Sequence, residues 1–137
     1  MKQIIEKITF KTEPEEYINI TNKIYEVIKQ SNLSEGLLNL SILHTSCSLL
    51  VQENADNTVM FDIKNFLNEI APKRNYLHNT EGSDDMPAHL KSLITQSNIT
   101  LSVKQKNLVI GKWQGIFLLE HRNHSKERDV LFHFVGV

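Results

Sequence analysis

LLNLSILHTSCSLLVQE, Leu37–Glu53, is the stretch that decides the fold. Through its first half Leu38, Leu40, Ile42 and His44 share one face of an extended chain, while Asn39 and Ser41 share the other. After Thr45 and Ser46 a second alternation places Cys47, Leu49, Val51 and Glu53 in phase. Strands joined this closely leave no room for a helical crossover, so the arrangement is antiparallel. The phase also puts an imidazole, His44, and a carboxylate, Glu53, at the ends of apolar rows.

Towards the N-terminus, Ile4, Ile8 and Phe10 form a strand face and "TEPEE" a turn. Tyr17–Ile20 is short and β-like. Thr21 can cap a helix from Asn22 to about Gln30, with Ile20, Ile24, Val27 and Ile28 inward. One continuous helix from Pro14 to Gln30 is the competing reading. Towards the C-terminus, "NADN" caps a helix from about Thr58 to Ile70, with Met60, Ile63, Leu67 and Ile70 at core spacing, and Pro72 stops it. In "HNTEGSDDMPAHLK", His78–Lys91, a loop runs into a third helix with Pro87 in its first turn. Ser83, Asp84 or Asp85 can cap that helix, and Met86, Leu90, Leu93 and Ile94 are its expected inward face. Asp85 and His89, four residues apart, lie on one side of it.

The rest reads as strands: Ile99–Val103, Leu108–Ile110, Ile116–His121 and Val130–Val135. The expected fold is therefore one α+β domain over residues 1–137, a largely antiparallel sheet of about eight strands with three helices packed on it. Ile116–Leu119 is apolar on both faces. That predicts helices over one face and a neighbouring subunit over the other.

The 137 residues carry a net charge of −1, with no basic excess of the kind that nucleic-acid binding leaves. A single cysteine, Cys47, excludes an intramolecular disulfide and fits a reducing cytoplasm. The N-terminal apolar stretch is broken by charges, and no run approaches membrane-spanning length, so neither secretion nor a membrane partner is expected.

Chemistry is expected from histidines and acids. His44, His78 and His89 can form a three-imidazole site for a divalent metal, suiting Zn²⁺, Mn²⁺ or Ni²⁺ better than Mg²⁺, which prefers oxygen ligands. Glu53 and Asp85 are candidates for proton transfer, and with Asp84 for holding an ion. Asp56, Asp84 and Asp85 also read as helix caps. Thr45 offers a hydroxyl beside His44. Lys91, Arg122, Lys126 and Arg128 are candidate phosphate binders, and Trp113 with Gln114, between Gly111 and Gly115, can meet a planar ligand. Cys47, in phase with Leu49 and Val51, reads as a buried inert thiol.

Three segments together carry a resemblance: "HTSCSLLVQENAD" (44–56), "YLHNTEGSDDMPAHLK" (76–91) and "GKWQGIFLLEHRNH" (111–124). In this order they resemble the YjbQ-like family, known as secondary thiamine-phosphate synthases, over nearly the whole chain. Gln52 stands where the family usually has Asn, Lys112 where Thr is usual, and Cys47 where a small residue is common. The resemblance implies a compact α+β subunit in a homotrimer, with His44, His78 and His89 gathered near acids at a site close to subunit contacts. It further implies a secondary activity joining hydroxymethylpyrimidine diphosphate to a thiazole phosphate, with release of pyrophosphate.

Overall fold

A computed structural model describes residues 1–137. In chain order the elements are β1 (Lys2–Thr12), β2 (Tyr17–Asn19), α1 (Thr21–Gln30), β3 (Gly36–Ile42), β4 (Cys47–Glu53), α2 (Asn57–Ile70), α3 (Asp85–Ile94), β5 (Asn98–Lys104), β6 (Asn107–Leu108), β7 (Gln114–Glu120) and β8 (Lys126–Gly136). The α+β class, the three helices and the eight antiparallel strands agree with the sequence reading. The single sheet does not. β1-β8-β3-β5-β6 form one sheet and β2-β7-β4 a second. The chain changes sheets between β3 and β4, so the two strands read as neighbours pair with different partners: β3 with β5 and β8, β4 with β7.

The inward faces of both sheets meet in one core. Leu38, Leu40, Phe132 and Phe134 come from the large sheet, Leu49, Ile116 and Leu118 from the small one, and Ile24, Val27 and Ile28 from α1. Strand alternation sends Phe117 and Leu119 the other way, onto Met60 of α2. This corrects the expected neighbouring subunit: the second apolar face of β7 is covered by the chain's own large sheet.

Helix ends differ from expectation where a stronger partner is available. Thr21 is the first residue of α1 rather than its cap: Ile20 holds the cap position, and Asn19 Oδ1 accepts from the Thr21 amide at 3.0 Å and hydroxyl at 2.6 Å. Asp56 caps α2 as read, accepting from the Thr58 amide at 2.9 Å. In α3 the expected apolar face is wrong. Asp85, Pro87, Ala88 and Lys91 are buried, whereas Leu93 and Ile94 are exposed. Ion pairs made by the start of α3 hold the helix in that rotation, with its charged side inward. Ile70, read as core, is likewise exposed. No helix is long and apolar enough to cross a membrane.

β3 and β8 cross closely at their ends. A Cβ on Gly36, whose φ is +154°, would stand 2.0 Å from the Val135 carbonyl oxygen, so only glycine fits there.

Candidate functional site

The site is built on the first turns of α3. Asp85 is 4% exposed, yet its two oxygens serve three cationic or potentially cationic groups. Oδ1 pairs with Arg122 Nη1 at 2.9 Å. Oδ2 lies 2.6 Å from His78 Nε2 and 3.2 Å from His89 Nε2. Beside it Asp84 takes no capping bond. Its Oδ2 accepts from Arg122 Nε and the Asn123 amide, each at 2.9 Å, because a guanidinium outcompetes the helix amides. Burial acts to raise both carboxyls. For Asp84 the Arg122 and Asn123 bonds outweigh it, for Asp85 the His78 bond and the Arg122 charge, and both end below the ordinary carboxylate range.

His89 Nδ1 lies 2.8 Å from the Thr45 carbonyl oxygen. A carbonyl only accepts, so Nδ1 carries the proton, and a neutral His89 presents a bare lone pair at Nε2. That lone pair faces the Asp85 carboxylate. Two acceptors so opposed need a positive charge between or on them, either a second imidazole proton or a bound cation. The ligand atoms of His78, Asp85 and His89 all lie within 4.8 Å of one another. Two imidazoles and a carboxylate, with one imidazole oriented by a backbone carbonyl, is a donor set that fits a first-row divalent metal.

A second buried pair lies behind this cluster. Arg128 donates to both oxygens of Glu120, at 2.7 Å and 2.5 Å, and Glu120 is fully buried. Arg128 Nη2 also donates to the Ser46 carbonyl and hydroxyl, tying β8 to the turn that carries Thr45. Burial would raise Glu120, but hydrogen bonds from Arg128, Thr12 and the Arg122 amide hold it low.

Several sequence-selected residues fall elsewhere. His44 is not in the cluster; its Nε2 accepts from the Asp129 amide at 2.7 Å, which satisfies the ring at the end of β3. Burial, then the Arg128 charge, keep it below its ordinary value. Glu53 stands opposite Gln114 at the far end of β4, roughly 20 Å of strand from Cys47 and the Thr45 turn, so it does not join Asp85. Gln114 closes its own loop through the Gly111 amide at 2.6 Å, and Trp113 is 55% exposed against the Lys112 ammonium. Arg122 and Arg128, chosen as phosphate binders, are committed to carboxylates. Thr45 contributes its carbonyl, not its hydroxyl. Lys91 is buried against Asn68, and the Cys47 thiol is pushed up to about 12 by burial, as an inert thiol should be.

Glu120 and His121 were missed as site residues, although the phase of β7 carried a signal. Glu120 follows Ile116 and Leu118 inward and so requires a buried cation. His121 is 2% exposed, with Nε2 against the Ser48 hydroxyl at 2.8 Å. Burial, then the Lys91 charge, push its pKa down to about 3. An unfolded histidine titrates near ~6.5, so below that pH the unfolded chain binds a proton that the fold refuses. Stability should therefore fall from pH ~6.5 towards 3, by up to about 1.4 kcal/mol per pH unit for this one group. His44 adds to the same window, and the depressed carboxylates add only below about pH 4.5. Urea unfolding between pH 7 and 5 should show that slope. His121→Gln, which retains a partner for Ser48, should remove about one proton's worth of it; an unchanged slope would mean that His121 does not stay neutral in the fold.

The family model described as "UPF0047 protein YjbQ-like" matches residues 6–137. A UPF0047 protein of Synechocystis is 38% identical over 137 residues, covering 98% of this chain and 93% of its own length. YjbQ of Salmonella typhimurium is 41% identical over 128 residues, covering 90% of this chain and 91% of its own. Among solved structures, a conserved hypothetical protein of Thermus thermophilus superposes with a TM-score of 0.80 at 34% identity, over 93% of this chain and 99% of that one. An uncharacterised YjbQ/UPF0047 protein of Clostridium acetobutylicum reaches 0.87 at 27% identity, over 95% and 99%. With agreement from Glu6 to the last residue, and relatives matched over nearly their full lengths, the chain belongs to the YjbQ-like UPF0047 family.

Proposed function

We propose that this chain is a metal-dependent cytoplasmic enzyme acting on a small phosphorylated substrate, with His78, Asp85 and His89 as the metal ligands. The observation that carries the reading is the bare Nε2 of His89 held against the Asp85 carboxylate by the Thr45 carbonyl. Arg122 fixes Asp85 through its other oxygen, so Oδ2 keeps one direction. The metal, when bound, supplies Lewis-acid stabilisation of negative charge on a phosphoryl or diphosphoryl group. The chain's own residues set where that charge sits. The pairing of Arg122 with both acids makes it a positioning residue here, and His44 is left out of the ligand set.

The reaction proposed within this class is that of thiamine-phosphate synthase, the secondary activity that family resemblance suggests. A C–N bond forms to the thiazole nitrogen as the pyrimidine's C–O bond to diphosphate breaks and pyrophosphate leaves. Exposed Leu77, Leu93 and Ile94, from the segment that carries the cluster, support a homotrimer that buries them at subunit contacts. The buried, unpaired Cys47 suits a cytoplasmic location.

Tag-free protein incubated with both substrates and Zn²⁺, Mn²⁺ or Mg²⁺ should release pyrophosphate in step with thiamine phosphate. His89→Ala and EDTA should each lower the rate by more than about 100-fold, beyond what loss of a ligand's outer partner alone produces. Turnover indifferent to both treatments would refute the metal-dependent reading. Metal-dependent release of phosphate from simple esters, without coupling, would point to a hydrolase instead.

A further inference from the structure

Asp84, held by Arg122, also borders a cavity of about 320 Å³ lined by Glu15, Asn68, Lys73, Lys91 and His121. Two wall residues have polar capacity that the protein leaves unmet. Lys91 is 6% exposed and makes no ion pair, and its Nζ donates only to Asn68 Oδ1, at 2.6 Å. An ammonium has three N–H donors and is rarely buried without a counter-charge. His121 Nδ1 is the one buried side-chain nitrogen or oxygen in the chain without a hydrogen-bond partner.

The proton on His121 can be placed. The Lys91 carbonyl lies 2.7 Å from Thr95 Oγ1, which lies 2.6 Å from Ser48 Oγ. The carbonyl can only accept, so it takes the Thr95 proton. Ser48 then donates to Thr95 and accepts from His121 Nε2–H. His121 Nδ1 is left as a bare acceptor. The wall thus offers ammonium donors and one buried acceptor. Of its carboxylates, Asp84 is committed to Arg122 and Asn123, and Glu15 offsets one of the two lysines.

We propose that this cavity is a binding site for a phosphate monoester in its singly protonated form. Its oxygens accept from Lys91 and Lys73, and its P–OH donates to His121 Nδ1. One net positive charge on the wall matches one negative charge on the ligand, and Ala71, Pro72 and Pro87, which complete the lining, can meet the carbon part of a small ester. The site is independent of the metal reading, sharing with it only the Asp84–Arg122 pair.

The test is a titration of metal-free protein, in EDTA at constant ionic strength, followed by the ring ¹⁵N resonances of His121. Inorganic phosphate and glycerol 3-phosphate are the probes, with chloride as the control. Both probes should shift Nδ1 to saturation, with the ester binding more tightly, and chloride should not. Lys73→Gln, at an exposed position, should weaken both about tenfold, the scale of one lost charge-assisted bond. Lys112→Gln, beside Trp113, should leave binding unchanged. No saturable shift, or equal affinity in Lys73→Gln, overturns the site; an ester no tighter than the free ion overturns its assignment to esters. Because divalent ions are absent throughout, failure here is separable from failure of the metal proposal.

Discussion

Glu120→Ala is expected to cost about 3–5 kcal/mol of folding stability, the range for removing one partner of a buried ion pair. Arg128 is only 4% exposed and would keep its charge with no carboxylate bonded to it. The Ser46 carbonyl and hydroxyl would remain as its acceptors, too few for a buried guanidinium. A domain of this kind has roughly 5–15 kcal/mol in total, so the variant should be marginal at ambient temperature. Removing both charges separates the cause. Glu120→Leu with Arg128→Met should recover most of the loss, because neither partner is then stranded. Urea unfolding at pH 7 measures both; a loss below about 1 kcal/mol in Glu120→Ala would place the pair among weak surface bridges.

Asp85→Asn has the other large expected effect, on binding more than on folding. The amide cannot supply the negative charge that faces two imidazoles and Arg122. Arg122 keeps Asp84 at 2.9 Å, so the stability cost should stay within about 1.5–3 kcal/mol, the worth of a charge-assisted bond. Zn²⁺ affinity should drop by more than about 100-fold, beyond what loss of an outer partner alone produces. His44→Ala should leave affinity within about threefold, since that ring is satisfied by the Asp129 amide. Calorimetry on tag-free protein reads both. Equal affinity in wild type and Asp85→Asn would remove the carboxylate from the ligand set.

Much of the architecture was legible because alternation reports directly on which face is buried. Leu38, Leu40, Ile42, Leu49, Ile24 and Ile28 all lie where their phase put them. What phase cannot report is which sheet a strand joins. Thr45 and Ser46 look like a hairpin turn in sequence, but they carry the chain from one sheet to the other. The same blindness made the second face of Ile116–Leu119 look like a subunit contact. In α3, hydrophobicity pointed to Met86, Leu90, Leu93 and Ile94, whereas the ion pairs of Asp84 and Asp85 with Arg122 turned the charged side inward.

The site was legible to the same extent. Asp85 and His89 at i and i+4 of a helix are neighbours by geometry, and His78 comes within reach through a short loop. His44 was chosen because a histidine ending an apolar row needs a polar partner. That partner is a backbone amide from a distant strand, which no local pattern encodes. Glu53 was chosen for its phase, but phase says nothing about distance along the strand. Glu120 and Arg128 lie eight residues apart across a turn, and their pairing follows from how β7 and β8 sit in different sheets.

Anomalous diffraction from crystals of tag-free protein soaked in Zn²⁺ would show whether His78, Asp85 and His89 hold a metal ion. One strong peak per chain is expected, bonded to His78 Nε2, His89 Nε2 and Asp85 Oδ2. A map with no peak there, with His78 and His89 still directly against Asp85 Oδ2, would contradict it.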